Sequence, residues 1–140
     1  LDIVQKLEAV IGEIKPQVVY THHYGDLNID HRITHQATMT ACRPVPSSSV
    51  REIYAFEVLS ATDWNTPGTD PFIANVFVDV IGFIDKKMEA LQAYELEMRC
   101  EPHSRSFINV QRLAELRGNT VGLGAAESFQ LLRSTVISED

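Results

Sequence analysis

Four of the five histidines, His22, His23, His31 and His35, fall in one short window together with Asp26 and Asp30. Imidazoles and carboxylates are the donor set of zinc and other divalent metals, so this window carries the strongest chemical signal in the chain. His31 and His35 are four residues apart, which on a helix puts both rings on one face, separated by about 6 Å along the axis. That spacing favours an adventitious two-histidine site over a closed tetrahedral one. Spacing alone leaves two readings open: a metal site, and a set of surface or packed histidines that touch no ion. A second polar group, His103 with Arg99, Glu101 and Arg105, reads either as an anion or sugar site or as an exposed loop. Trp64 and Tyr24 are loop aromatics, able to stack on a sugar ring or to pack locally. Gly122-Leu123-Gly124 follows no GxGxxG pattern, which argues against a dinucleotide site. Cys42, among Ala37 and Ala41 on one helix, reads as core, and no Ser or Cys sits in a nucleophile-elbow context.

The elements around the histidine window decide whether it converges. Residues 1 to 15 place Ile3, Val4, Leu7, Val10, Ile11 and Ile14 at helical spacing, and Lys15-Pro16 ends the run. Gln17 to Thr21 is a β-branched run of the kind that forms a strand buried on both faces. Turn formers Gly25, Asp26 and Asn28 follow, and Asp30 is placed to cap a helix through Ile33, Ala37 and Ala41. The histidines thus lie where a strand's carboxyl end turns into a helix, the ligand-binding crevice of open α/β sheets. Beyond a connector at 44 to 50, strands are expected at Arg51 to Leu59 and Phe72 to Val80, and helices over Ile81 to Met98 and Ser106 to Arg117. A helical turn at Ala125 to Ser128 and a strand at Phe129 to Val136 complete the reading. The expected class is α/β, one domain over residues 1 to 140.

Composition narrows the function classes. At 140 residues with 44% hydrophobic and 22% charged residues, the chain has the make-up of one folded domain. The net charge of -7 and dispersed cations disfavour nucleic acid, and no apolar run is long enough for a membrane span. Two distant cysteines, Cys42 and Cys100, form no disulfide or zinc-ribbon pattern, and a reducing cytoplasm is expected. A start at Leu1 inside an amphipathic run reads as part of a longer protein.

The stretch Val18-Val19-Tyr20-Thr21-His22-His23, followed by Gly25-Asp26-Leu27-Asn28-Ile29-Asp30-His31-Arg32, resembles the second motif of the PIG-L/LmbE-like N-acetylglucosaminyl deacetylases. Tyr54 to Val58, the Pro-His-x-Arg-Ser segment at Pro102 to Ser106, and Ala126 to Phe129 agree with the same family in the same order. The resemblance implies a Rossmann-like three-layer fold with a largely parallel sheet, incomplete at its N-terminal side. It also implies zinc-dependent hydrolysis of an N-acetyl group on an amino sugar, with the metal held by two His and one Asp. His31 is then a zinc ligand. Asp30 and His103 take catalytic roles, Asp30 in support of His31 and His103 as acid or oxyanion stabiliser. Asn28, Asp26 and Arg105 face substrate. The family's first motif, Ala-His-Pro-Asp-Asp, which supplies the other ligands and the general base, does not occur in these 140 residues. The chain alone is therefore expected to bind zinc weakly or not at all and to be inactive. Its unpaired sheet edge is expected to be covered in a homo-oligomer. A non-catalytic binding or assembly protein retaining the later half of the fold is the alternative.

Overall fold

The computed structural model describes residues 2–138. The elements in order are α1 (Asp2–Ile14), β1 (Val18–His22), α2 (Ile29–Ala41), β2 (Glu52–Phe56), β3 (Val76–Asp79), a 3-10 turn (Ile81–Phe83), α3 (Ile84–Gln92), α4 (Phe107–Asn119) and β4 (Ala126–Ser134). The strand order is β1-β2-β4-β3, and the chain divides into two compact units, Leu1–Ile73 with Gln130–Asp140, and Ala74–Phe129.

The first unit is built on a βαβ crossover. α1 turns Val4, Leu7 and Ile11 inward and ends at Lys15, whose left-handed backbone (φ 51°) is followed at once by Pro16. The Lys15 amide still reaches Ile11 O at 2.8 Å, closing the last turn. β1 then pairs in parallel with β2, from Val18 opposite Glu52 to His22 opposite Phe56, with α2 as the crossover that a parallel pair needs. Cys42, Val50 and Ile53 form the buried centre, with Ile11, Val19, Met39 and Leu132 packed around it. Burial raises the Cys42 thiol pKa above its ordinary value, against the opposing pull of Arg133, so the thiol stays protonated and behaves as a small apolar group. Ile53 is fully buried. Ile53→Ala is expected to cost about 2–5 kcal/mol, read as a lower denaturant midpoint at unchanged slope.

Two expectations are corrected in this unit. β1 is not buried on both faces: Val18 and Tyr20 are exposed, and Tyr20 stacks on Tyr54 of β2 with ring centroids 5.6 Å apart. β1 is the end strand of the order, so one edge has no strand beside it among the described residues. The cap of α2 is Asn28, not Asp30; the Asn28 side chain accepts the Asp30 amide at 2.9 Å. Asp30 lies instead within the first turn, where a carboxylate is favoured by the helix dipole.

In the second unit β3 runs antiparallel to the first half of β4, with Val76 opposite Phe129 and Asp79 opposite Ala126. The class is α/β, and this pair is its departure from a parallel sheet. The helix expected over 81 to 98 is interrupted. Its 3-10 start passes into α3, which stops at Gln92, and Tyr94 and Leu96 beyond it are exposed. Apolar spacing holds a helix only when the face it makes is buried, and this one is not. The turn expected at Ala125 to Ser128 is extended strand, because its backbone is taken up by the ladder to β3 and its small side chains, Ala126 and Ser128, are buried. α4 is capped by Ser106, which accepts the Asn109 amide at 3.3 Å. Among the described residues no helix is long and apolar enough to cross a membrane.

Candidate metal centre

β1 delivers His22 at its carboxyl end, and α2 carries His31 in its first turns. The two rings stack with centroids 3.7 Å apart and planes within 12°. Asp26, from the loop between them, is fully buried, and its Oδ2 lies 2.8 Å from His31 Nδ1. Potential ligand atoms of His22, Asp26 and His31 all fall within 4.8 Å of one another. The other Asp26 oxygen, Oδ1, accepts the Thr62 hydroxyl at 2.6 Å, and that hydroxyl oxygen accepts the Val58 amide at 2.8 Å. A third tie, from the Leu27 amide to Ala61 O at 3.0 Å, fastens the same loop to the segment after β2.

The remaining two histidines of the window hold the backbone. His35 Nδ1 donates to His22 O at 2.8 Å, which fixes the end of β1 and directs that nitrogen to a carbonyl. The expected pairing of His31 with His35 as a two-histidine site is corrected accordingly: the partner that converges on His31 is His22. His23 is fully buried, and its Nε2 donates to Asp70 O at 2.8 Å with Phe72 edge-on to its ring. Gly25 is required where these segments meet. A Cβ there would lie 2.3 Å from Asp70 O and 2.7 Å from His23 Nε2, well inside contact distance. Gly25→Ala is expected to lower stability by about 1–3 kcal/mol through this overpacking, measured by chemical denaturation.

The residues singled out from the sequence fall into three places. His31 and Asp26 meet in the cluster. Asn28 and Asp30 are exposed and bonded to each other at the start of α2, so the carboxylate at His31 is Asp26 rather than Asp30. Asp26 is buried beneath His31, a position for supporting the ring and not for meeting a substrate. His103 and Arg105 belong to the second unit, in the loop before α4. There His103 Nδ1 accepts the Arg105 amide at 2.9 Å, and the Arg105 guanidinium pairs with Glu97 at 2.7 Å. Thr62 went unnoticed in the sequence because nothing local marks a threonine 36 residues from its partner.

The donor set fits zinc. His22 Nδ1 is buried with no hydrogen-bond partner, a state that costs about 1–3 kcal/mol for an ordinary polar atom. Burial, reinforced by the adjacent His31, lowers the His22 pKa below the usual histidine value, with Asp26 opposing. The ring is therefore held neutral, the form that ligates metals. The two imidazoles are donors of the type a borderline cation takes, and Asp26 stands behind one of them, bonded to His31 Nδ1.

Residues 1–42, which contain the whole cluster, match the family model described as PIG-L, GlcNAc-PI de-N-acetylase. No match is found among curated proteins. Among solved structures, the hydratase GalB of Pseudomonas putida KT2440, which acts on 4-carboxy-2-hydroxymuconate, aligns with a TM-score of 0.70 at 21% identity, over 99% of this chain and 61% of that one. The N,N'-diacetylchitobiose deacetylase of Pyrococcus horikoshii aligns with a TM-score of 0.68 at 13% identity, over 94% of this chain and 51% of its own. The teicoplanin deacetylase Orf2, solved in a zinc-inhibited form, aligns with a TM-score of 0.71 at 19% identity, over 95% and 51%. The chain thus spans between about half and three-fifths of the length of these proteins, and at such identities the likeness is one of fold. The resemblance to PIG-L/LmbE-type deacetylases accordingly holds in sequence over residues 1–42 and in fold over nearly the whole chain.

Proposed function

We propose that this chain is part of a zinc-dependent N-deacetylase acting on an N-acetylated amino sugar, with His31 as a metal ligand. The observation that carries the reading is the convergence of His22, Asp26 and His31 inside the segment that matches the deacetylase family model. The fold alone does not choose a reaction, since a hydratase shares it. The family match over the cluster is what favours amide hydrolysis. When bound, zinc acidifies a water and polarises the acetyl carbonyl.

The chain's own residues do the rest of what can be assigned to it. His31 and His22 offer nitrogens to the metal, and buried Asp26 holds the His31 ring. The first turn of α2, whose Asp30 amide is capped by Asn28, gives a positive end of the helix dipole beside the site, favourable to charge developing on an acetyl oxygen. Asn28 is the polar side chain on that turn for substrate contact. The family resemblance gives His103 a role as acid or oxyanion stabiliser and Arg105 one in binding substrate. The general base and remaining ligands come from polypeptide other than these 140 residues, so the isolated chain is inactive. Both cysteines are free thiols, in keeping with a reducing compartment such as the cytoplasm. The edge of β1 that has no strand beside it among the described residues is, in this reading, covered by a second copy.

The test is acetate release from a panel of N-acetylamino sugars and their conjugates by the whole natural protein that includes these residues, with and without zinc. Zinc-dependent release that a chelator abolishes is the expected result. Release that ignores the chelator, or none from any member of the panel by the zinc-loaded protein, would overturn it.

A further inference from the structure

We infer that Asp26 is a positioning residue that locks His31 in the tautomer with hydrogen on Nδ1, and that Thr62 sets the direction of this lock. The proposal deepens the metal reading above, but its first half stands on hydrogen bonds within the chain.

The direction of each bond in the network follows from donor and acceptor chemistry. The Val58 amide can only donate, so its 2.8 Å contact uses a lone pair of the Thr62 oxygen. The Thr62 hydrogen is then free to point at Asp26 Oδ1, 2.6 Å away. An ionised carboxylate only accepts, so Asp26 Oδ2 takes a hydrogen from His31 Nδ1 at 2.8 Å. The bond runs one way from both ends, towards a carboxylate that is fully buried and cannot turn to water instead. A neutral His31 is thereby held with its Nε2 lone pair free, the nitrogen left for a cation. Carboxylate partners of this kind orient metal-binding imidazoles and raise their basicity, and their loss costs roughly 10–100-fold in affinity or activity.

The network makes an unusual prediction for the near-isosteric variant Asp26→Asn. Thr62 would keep the amide oxygen at the Oδ1 position, which turns the amide nitrogen towards His31. That nitrogen donates, so His31 Nδ1 must accept, and the hydrogen moves to Nε2. The variant therefore inverts the tautomer rather than merely weakening the bond. Adding Thr62→Val removes the hydroxyl that fixes the amide, so both amide orientations are open and the preference for hydrogen on Nε2 is lost.

The experiment is nitrogen NMR of the histidine-labelled full chain without metal, followed by zinc titration. In the wild type, His31 is expected to show a protonated Nδ1 with a slowly exchanging proton and an unprotonated Nε2. Asp26→Asn should exchange the two signatures and weaken zinc binding at His31 roughly 10–100-fold, and the double variant should lose the preference for hydrogen on Nε2. A neutral wild-type His31 ring with its hydrogen on Nε2, or one lacking the protected Nδ1 proton, overturns the inference without need of any variant. An Asp26→Asn protein that folds and keeps the wild-type pattern overturns the role of Thr62 and Asp26 together. If the tautomers behave as stated but zinc never reaches His31, the lock stands, and the metal reading rests on acetate release by the whole protein.

Discussion

Alanine at His31 is expected to remove zinc-dependent acetate release from the whole protein, by about a thousandfold or more. The effect is large because the residue would be lost in two capacities. It offers the ring nitrogen beside His22, and it is the group that the Asp26 and Thr62 bonds are arranged to hold. A metal that loses a ligand loses the electrostatic stabilisation it gives the transition state, several kcal/mol in typical sites, and each 1.36 kcal/mol is tenfold in rate. The variant also leaves Asp26 buried without its imidazole partner, so the measurement needs a control for folding. Circular dichroism and a denaturant midpoint serve that purpose, with kcat/KM as the readout. Retention of more than about a tenth of the activity in a folded His31→Ala protein would refute its assignment as a ligand on this scale of effect.

The second large effect concerns stability of the 140-residue chain itself. Three groups already converge in the described structure, so zinc is expected to bind at His22 and His31 even though the affinity is modest without further ligands. Binding to the folded form alone adds about 2.7 kcal/mol at a hundredfold excess over the dissociation constant. In a chain of this size that corresponds to a rise in thermal midpoint on the order of 10 °C. His22→Ala and His31→Ala should each cancel the rise. His35→Ala should not, provided its loss of the bond to His22 O leaves β1 in place. Differential scanning fluorimetry across a zinc series checks all four proteins. No shift at any zinc concentration in the wild type would mean that His22 and His31 do not hold zinc by themselves in these 140 residues.

The sequence by itself determined the elements whose spacing is local. The apolar period of α1, the β-branched run that became β1, and the polar turn before α2 could each be read directly, because helix and strand periodicity depend on neighbours three to four or two positions away. It also determined that histidines gather at a strand's carboxyl end, within the residues 1–42 that match the family model. Only the tertiary structure decided which groups those histidines touch. Asp26 and Asp30 look alike as sequence, five residues and one residue before His31, yet one is buried against its ring and the other is exposed on the helix's first turn. The difference comes from Thr62 and Ala61, which bind the loop through bonds that no local rule predicts. The same long-range dependence explains the antiparallel β3 and β4 pair and the early end of α3. A strand's direction is set by the neighbour it finds, and a helix's length by the surface it can bury, and neither is written in the residues of the element alone.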